Sequence, residues 1–307
     1  MPIDELLPEL RRALAEHDCA VLQAEPGAGK TTRVPLVLLD EPWLADRRIL
    51  MLEPRRLAAS NAARYMAACL GEQVGGTVGY SIRFERRVSR RTRIEVVTEG
   101  ILARRMQSDP YLEGVGLVIL DEFHERNLHS DLALALCRDV QLGLRDDLKL
   151  LVMSATLDGA PIAKLLGAAP LLSSSGRSFP VEVCYLDKPP VGRIAEVTAA
   201  AVLRAWPATE GDLLVFLPGV GDIQRCRALL AGHTTMSEAL LCNLYAELPF
   251  TEQERALTPA AQRKVVLATN IAETSLTIEG VRVVIDSGYM RQPRFDSGSG
   301  LSIGIEN

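Results

Sequence analysis

The sequence predicts an α/β fold of two successive domains, each a parallel sheet flanked by helices. In the first half, short apolar runs alternate with helical patterns, as in a doubly wound parallel sheet. The runs are 19–23, 48–52, 94–98, 116–120 and 148–153, and the helical patterns are 30–39, 56–70, 99–107 and 129–143. A second set of runs follows at 181–186, 212–217, 239–245, 264–269 and 281–286. The Ser-, Gly- and Pro-rich stretch 171–180 separates the sets, so we expect domains at 1–177 and 178–307.

The first apolar run leads into a glycine loop, AEPGAGKT at 24–31. Gly27 and Gly29 let the backbone wrap an oxyanion, and the helix that follows directs its positive end at the same place. Lys30 is the cation expected at the β- and γ-phosphates of a nucleotide, and the Thr31 hydroxyl is a candidate magnesium ligand. The other nucleotide-binding candidates are Ala24, Glu25, Pro26, Ala28 and Thr32. The alternative is a simple glycine turn with an incidental lysine.

The run at 116–120 ends in DEFHER, at 121–126. Asp121 and Glu122 are candidate magnesium ligands, and Glu122 is also expected to orient or deprotonate an attacking water. His124 is a third catalytic candidate. The alternatives are surface acids at a strand end and a hydrogen-bonding histidine without a catalytic role. A zinc site with His129 is less favoured, because no cysteine stands at ligand spacing.

The run at 148–153 is followed by Ser154, Ala155 and Thr156. Small hydroxyl side chains there can hydrogen-bond the acidic pair and respond to a γ-phosphate. By itself Ser-Ala-Thr is an ordinary turn, and its weight comes from its order and distance after Asp121. Ligands of open parallel sheets bind at the carboxyl ends of the strands, where Lys30, Asp121 and Ser154 are all predicted to lie.

Composition narrows the class of protein. The net charge of −5 counts against a general nucleic-acid binder, although six arginines cluster in 83–93. That cluster fits a solvated hairpin rim and a nucleic-acid surface equally well. Arg55 and Arg56 follow Pro54 at a strand end and are predicted to contact a phosphate backbone. The six cysteines form no C-x-x-C pair, and no apolar run reaches about 18 residues, so we expect a cytoplasmic protein without a membrane partner.

The order of these motifs resembles the DEAH-box helicases of superfamily 2. The motifs are AEPGAGKT, EPRRLAA (53–59), TEGIL (98–102), DEFHER, SAT, FLPG (216–219) and ATNIAETSLTI (268–278). VGYSIRFE (78–85) and LRDDLKLLVMSATLD (144–158) are most similar to the bacterial HrpB branch. The resemblance implies two tandem RecA-like P-loop domains, ATP with Mg²⁺ as cofactors, and a single-stranded nucleic-acid partner, with RNA favoured and DNA as the alternative. No obligate oligomer is evident.

The resemblance also implies roles for residues outside the phosphate loop and the acidic pair. Arg64 and Leu257 correspond to the positions that cover the base, and Leu257 replaces the usual aromatic, so base selectivity should be slack. The implied nucleotide-cleft residues are Glu273, Thr274 and Ser275, and the implied nucleic-acid contacts are Arg55, Arg56, Thr98, Gly219, Thr269 and Asn270. The alternative for residues 269, 270 and 273–275 is a polar helix start.

Two functions remain open. The first is a helicase motor core that couples ATP hydrolysis to movement along a strand. The second is an ATP- and nucleic-acid-binding module with impaired hydrolysis, because the family's Q-R-x-G-R-x-G-R motif is absent and the second domain is expected to be truncated. Arginine fingers contribute about 10³–10⁵ in turnover in related enzymes. A GTPase or small-molecule kinase is disfavoured, since no N-K-x-D guanine-binding motif occurs.

Overall fold

A computed structural model of the chain describes residues 1–155, 159–174, 180–186, 191–272, 278–296 and 301–306. It divides into two compact units, Met1–Pro180 and Val181–Asn307. Four of the predicted site residues lie outside the described residues: Thr156, Glu273, Thr274 and Ser275. No helix within the described ranges is both long and apolar enough to cross a membrane.

In its described part, the first unit is an eight-stranded sheet in the order β4-β3-β5-β2-β6-β7-β1-β8. The strands are β1 (Cys19–Ala24), β2 (Arg48–Leu52), β3 (Val78–Ile82), β4 (Glu85–Arg87), β5 (Ile94–Val97), β6 (Val115–Leu120), β7 (Lys149–Ser154) and β8 (Leu171–Ser174). The helices are α1 (Leu7–Glu16), α2 (Lys30–Leu38), α3 (Arg56–Cys69), α4 (Glu99–Ser108), α5 (Leu128–Gly143) and α6 (Ala160–Leu165). All neighbouring strands are parallel except β4, which is antiparallel to β3.

The central strands are mostly apolar because helices cover both faces of the sheet. Along β1, Ala20 and Leu22 join one apolar core while Cys19 and Val21 join another on the opposite face. Side chains alternate along a strand, so a strand buried on both faces shows a continuous apolar run instead of an alternating pattern. The five strands predicted in this half are therefore all present.

Three strands of the first unit were not predicted. Strand β4 lies within 83–93, where a hairpin rim was one of two interpretations, and it pairs with β3 just before that segment, with Ser81 opposite Arg86. The stretch 171–180 was expected to be a linker, but its first four residues form β8, which pairs in parallel with β1. Leu172 of β8 is buried at the sheet edge, which supplies the packing that a turn-rich composition did not indicate.

The second unit has a four-stranded parallel sheet in the order β10-β11-β9-β12 within its described part. Its strands are β9 (Asp212–Phe216), β10 (Leu240–Leu244), β11 (Lys264–Ala268) and β12 (Val281–Asp286), and its helices are α7 (Ile194–Ala208), α8 (Val220–Ala231) and α9 (Phe250–Leu257). A separate antiparallel pair, β13 (Arg291–Asp296) and β14 (Leu301–Glu306), follows.

The strand predicted at 181–186 is wrong. These residues have no regular secondary structure, and all six are exposed. Their valines and tyrosine favour a strand, but β propensity expresses packing against neighbouring strands, and none of the described strands pairs with this segment. The other four strands predicted in the second half are present.

Strand order and register bring the predicted site together at one edge of the first sheet. Strand β7 lies between β1 and β6, with Gln23 of β1 beside Ser154 of β7. Leu120 at the end of β6 pairs with Val152 of the same central strand. The loops after β1, β6 and β7 therefore leave the sheet side by side, as expected for carboxyl ends of parallel strands.

Candidate nucleotide site and nucleic-acid contacts

The phosphate loop connects β1 to α2 through two glycines in left-handed conformations. Gly27 has φ 77° and Gly29 has φ 92°, values that a side chain would strain. Glu25, Pro26 and Gly27 are exposed, while Ala24 and Ala28 are buried against the sheet. Lys30 is the first residue of α2, so the positive end of the helix and the lysine side chain both belong to the phosphate loop. A loop of this shape is a ready anion site.

The phosphate loop and the acidic pair, both predicted at the carboxyl ends of strands, are in direct contact. The Lys30 amine lies 3.2 Å from Oε1 of Glu122. The Thr31 hydroxyl donates to Oδ2 of Asp121 at 2.6 Å, although the two residues are 90 positions apart in the chain. Lys30 is 4% exposed and Glu122 is 11% exposed, so this ion pair is shielded from water. Thr32 is half-buried one position further along α2.

His124 connects the acidic pair to the end of β7. The Ala155 N–H donates to its Nδ1 at 3.2 Å, and its Nε2 lies 3.2 Å from Oε2 of Glu122. An Nδ1 that accepts a hydrogen bond carries no proton, so Nε2–H donates to Glu122. Ser154 is buried directly before Ala155. Each oxygen of Glu122 therefore has its own partner, Lys30 on one side and His124 on the other.

The turn that carries Glu122 has an unusual backbone. Glu122 has φ 50° and Arg126 has φ 47°, and neither is a glycine. Such conformations are disfavoured for residues with a Cβ and concentrate at functional sites. The strained turn lets the Glu122 side chain point toward both Lys30 and His124.

Burial and like charge perturb the acids of this site. Burial, followed by the neighbouring Glu122 carboxylate, raises the pKa of Asp121 to about 6, against the opposing effects of Lys30 and Thr31. Glu53, at the end of β2, is 1% exposed. Burial and then the charges of Asp121 and Glu122 raise the pKa of Glu53 well above its usual range. Glu53 was not among the predicted residues, although an acid directly after an apolar run was the signal that found Asp121.

The two arginines after Pro54 have different surroundings. Arg55 is 29% exposed, and its Nε lies 3.3 Å from Oε1 of Glu125, so it ties the start of α3 to the DEFHER turn. Arg56 is exposed and donates to the carbonyl of Arg83 at 3.3 Å. Thr98, by contrast, is 8% exposed at the start of α4.

Arg64, predicted beside a nucleotide base, hydrogen-bonds the hydroxyl of Tyr80. That hydroxyl also donates to Glu85 at 2.7 Å. Burial, followed by Glu85, raises the pKa of Tyr80, and Arg64 partly offsets the effect. The Tyr80 partnership was not predicted. In the second unit Leu257 is half-buried at the end of α9.

The three described nucleic-acid candidates of the second unit lie at the carboxyl ends of its strands and are uncharged. Gly219 is buried at the start of α8, after β9. Thr269 is half-buried after β11, and Asn270 is exposed at the start of a short 3₁₀ turn. The Asn270 amide lies 3.5 Å from the Met290 sulfur. These positions are compatible with both interpretations of residues 269 and 270, a contact with nucleic acid and a polar helix start.

Two family models match the chain: "DEAD/DEAH box helicase" over residues 7–165 and "Helicase conserved C-terminal domain" over residues 197–297. The chain belongs to the DEAD/DEAH box helicase family. It is 54% identical to the ATP-dependent RNA helicase HrpB of Escherichia coli, over 98% of this chain and 37% of that protein. It is 37% identical to the pre-mRNA-splicing factor ATP-dependent RNA helicase prp22 of Schizosaccharomyces pombe, over 98% of this chain and 26% of that protein.

The fold agrees with a solved structure of the same branch. A crystal structure of the Escherichia coli DEAH/RHA helicase HrpB superposes with a TM-score of 0.91 at 52% identity, covering 100% of this chain and 39% of the other. These findings confirm the resemblance to DEAH-box helicases of the HrpB branch and the two tandem RecA-like domains. The chain spans roughly a quarter to two-fifths of the length of these relatives.

Proposed function

We propose that this chain is the motor core of an ATP-dependent RNA helicase, which couples ATP hydrolysis to movement along a single strand. We assign residues 1–177 to the ATP-binding domain and residues 178–307 to the C-terminal helicase domain. The contacts of Lys30 with Glu122 and of Thr31 with Asp121 are the observation that carries the proposal. They join a phosphate cradle to an acidic pair, and that combination is typical of nucleotide hydrolysis.

Binding of ATP begins with an exchange of partners at Lys30. The amine is now neutralised by Glu122 at 3.2 Å. A γ-phosphate in the loop would compete for the same amine and carries more negative charge than one carboxylate. The carboxylate released from Lys30 keeps its contact with His124 and becomes available to a water. Ala24–Thr32 line the loop, and Arg64, Leu257, Glu273, Thr274 and Ser275 remain proposed contacts of the nucleotide.

The oxygen donors beside the loop fit magnesium. The Thr31 hydroxyl and the Asp121 carboxylate are 2.6 Å apart, and Mg²⁺ prefers such hard oxygen ligands together with phosphate oxygens. We assign Thr31 and Asp121 as the residues that hold it, with Glu122 beside them. Magnesium held there would neutralise negative charge on the phosphate groups of the nucleotide.

Glu122 is proposed as the general base, positioned by His124. The imidazole donates from Nε2 to Glu122 and accepts at Nδ1 from Ala155. Because Ala155 belongs to the segment after β7, a shift of that segment changes the position of His124 and, through it, of Glu122. Ser154, the last residue of β7, and Thr156 are next to Ala155 in the sequence and are proposed to respond to the γ-phosphate.

The proposed partner is single-stranded RNA, as the names of the relatives indicate, in the cytoplasm. The proposed contacts are Arg55, Arg56, Thr98, Gly219, Thr269 and Asn270. Arg56 is the best supported of them, because it is exposed and charged at the carboxyl end of a strand. Thr98 is the least supported, because it is 8% exposed.

The test is ATP hydrolysis with and without single-stranded RNA, on the parent and on Glu122→Gln. The amide keeps the shape of the side chain but cannot take a proton, so hydrolysis should fall by about 10²–10⁴ while ATP binding persists. Glu113→Gln, at an exposed glutamate of the same unit, is the matched control and should behave as the parent. Equal hydrolysis by the parent and Glu122→Gln would refute the role of Glu122, and a parent that neither binds nor hydrolyses ATP would refute the function.

A second candidate is favoured by one sequence observation, the absence of the Q-R-x-G-R-x-G-R motif from these 307 residues. On this alternative the chain by itself binds ATP and RNA but hydrolyses ATP slowly. The two candidate functions are distinguished by measuring ATP hydrolysis at saturating RNA for two proteins. One is this chain, and the other is this chain fused to the segment of a relative that carries the Q-R-x-G-R-x-G-R motif. An increase of about 10³-fold or more supports the second candidate.

A further inference from the structure

The residues before α1 lie against the phosphate loop. Residues Pro2–Glu5 form one 3₁₀ turn, and Ile3 within it is completely buried. The Ile3 N–H donates to the carbonyl of Ala28 at 3.2 Å, and the two side chains share the apolar core that also contains Val34 of α2. The turn makes its own internal bonds through the N–H groups of Asp4 and Leu6, so the Ile3 N–H is used for the loop alone.

This hydrogen bond acts on a peptide group of the phosphate cradle. A trans peptide is planar, with its carbonyl and its N–H pointing in opposite directions. When the Ala28 carbonyl is held toward Ile3, the N–H of Gly29 is held away from it. Gly29 has φ 92°, and because glycine tolerates many backbone conformations, the Ala28–Gly29 peptide could adopt several orientations. The hydrogen bond to the Ala28 carbonyl therefore fixes one orientation of the Gly29 N–H, which is a donor for phosphate in the loop.

A second contact holds the helix that follows the loop. The Asp4 carboxylate lies 3.1 Å from Nε of Arg33, in the first turn of α2. At the other end of the same helix pair, Arg11 of α1 forms an ion pair with Glu41, just after α2. The turn before α1 therefore contacts the loop directly, whereas the Arg11 ion pair of α1 lies at the far end of α2.

We propose that Ile3 and Asp4 are positioning residues for the phosphate loop: the Ile3 N–H orients the Ala28–Gly29 peptide, Asp4 holds the first turn of α2, and both raise the affinity for ATP. The inference rests on the proposed ATP site. Neither residue touches the acidic pair in the contacts described, so the effect falls on nucleotide binding and leaves the hydrolytic step unchanged.

The decisive comparison is Ile3→Pro against Ile3→Ala. Proline fits the φ of a 3₁₀ turn but has no N–H, whereas alanine keeps the N–H and loses most of the side chain. Ile3→Pro should weaken binding of a fluorescent ATP analogue roughly 3- to 10-fold, the size of one hydrogen bond. Ile3→Ala should lower the melting temperature, because a buried side chain is lost, and keep the affinity of the parent. KM for ATP should rise in Ile3→Pro with kcat unchanged.

Equal affinity of Ile3→Pro and the parent would overturn the proposal, and so would an Ile3→Ala that loses as much affinity as Ile3→Pro. If Ile3→Pro does not fold, an ester in place of the Ile3 amide removes the same donor and keeps the side chain. Cys19 provides the junction for joining a synthetic 1–18 peptide to the remainder. Weaker binding by the ester protein supports the proposal, and unchanged binding overturns it.

Asp4→Ala tests the second contact, with Arg11→Ala as the matched control. Both substitutions break an ion pair with the α2 region, and Asp4→Ala also removes the partner of the Met1 amine, but only Asp4 is next to the loop. Asp4→Ala should weaken ATP binding about 2-fold at low salt, as expected for an exposed pair, and the difference should vanish at high salt. Arg11→Ala should bind as the parent. Equal losses in both variants would mean that α1 acts only by general stabilisation, which contradicts the proposal.

Failure of this inference can be told apart from failure of the proposed function. A parent protein that does not bind the analogue refutes the proposed function and the inference with it. The positioning role alone is refuted if the parent binds, Lys30→Met binds roughly 10- to 100-fold more weakly, and the Ile3 and Asp4 variants all bind as the parent.

Discussion

Lys30 in the first unit and Lys264 in the second are both almost completely buried, with exposures of 4% and 0%, but their partners differ. The Lys30 amine faces one carboxylate oxygen of Glu122. The Lys264 amine donates to the carbonyls of Ala256 and Thr258, at 3.1 Å and 3.0 Å, and lies 3.6 Å from Asp212. Both sit on parallel-sheet units, and both are ion-paired.

The two lysines differ in their position in the sheet and in whether their partners can move away. Lys264 begins β11, at the amino end of its strand, and binds carbonyls at the end of α9, where a cation is favoured by the helix dipole. Lys30 lies at the carboxyl ends of the strands, where parallel sheets bind ligands. The carbonyls of Ala256 and Thr258 are held in place by the backbone, whereas the Glu122 side chain can leave Lys30 by a rotation. We therefore expect buried Lys264 to stabilise the fold and buried Lys30 to bind a ligand.

The same substitution in both lysines tests this comparison, and the largest effect is expected for Lys264→Met. Methionine keeps the aliphatic volume but leaves Asp212 and two carbonyls without their cation. Removing one partner of a buried pair typically costs about 3–5 kcal/mol of the free energy of unfolding. Urea unfolding should show this loss in the second unit, and Asp212→Asn in the same chain should recover part of it. An unchanged unfolding curve would contradict the structural role.

Lys30→Met should show the reverse pattern. The free energy of unfolding should fall less than in Lys264→Met, because Glu122 is less buried than the Lys264 amine and keeps its contact with His124. Affinity for ATP should fall roughly 10- to 100-fold, the range for a lost charge-assisted hydrogen bond. Fluorescence titration with an ATP analogue measures the affinity, and urea unfolding measures the stability. A Lys30→Met variant that unfolds as easily as Lys264→Met would remove the distinction between the two lysines.

Two buried glutamates extend the comparison to acids. Glu95 is paired with Arg105 and Ser81, both at 2.6 Å, and these partners lower its pKa although burial opposes them. Glu53 faces like charges, and burial followed by Asp121 and Glu122 raises its pKa. A raised folded-state pKa contributes stability that is complete below the unfolded pKa near 4.5 and is lost as pH rises through the folded pKa.

Glu53→Gln should therefore gain stability relative to the parent as pH rises from 5 to 7. The expected gain is about 1.4 kcal/mol per pH unit until the folded pKa is passed. Glu95→Gln is the matched control. The difference in free energy of unfolding between this variant and the parent should stay constant from pH 5 to 7, because a group with a lowered pKa changes stability only at lower pH. Urea unfolding at pH 5, 6 and 7 in EDTA measures both. A Glu53→Gln difference that does not grow with pH would contradict the like-charge environment.

These contrasts show how far the sequence was informative. The phosphate loop and the acidic pair were predictable because local spacing after an apolar run defines their chemistry, and their mutual contact follows from strand order. The strand expected at 181–186 failed because pairing depends on distant strands. Glu53 and Ile3 were missed for different reasons: Glu53 acts through its distance from Asp121, and Ile3 through a backbone N–H, which no side-chain pattern encodes.

The smallest expected effect concerns Arg55 and Arg56, where structural and binding roles meet in adjacent residues. Arg55 is paired with Glu125, and Arg56 is exposed with a bond to the Arg83 carbonyl. Arg56→Ala should weaken binding of single-stranded RNA equally for two unrelated sequences, because phosphates carry no sequence information. The slope of log K against log salt should become shallower by about 0.7, the value for one phosphate contact. Arg55→Ala should change the slope similarly and also lower the stability of the first unit.

Fluorescence anisotropy over a salt series decides this prediction, with Arg12→Ala, at an exposed arginine of α1, as the matched control. The control loses the same charge from the same unit, so a purely global charge effect would flatten its slope as well. If the Arg56→Ala slope equals that of the parent, Arg56 serves to hold the loop at Arg83. A loss that differs between the two RNA sequences would instead indicate contact with bases, which a guanidinium on a phosphate would not produce.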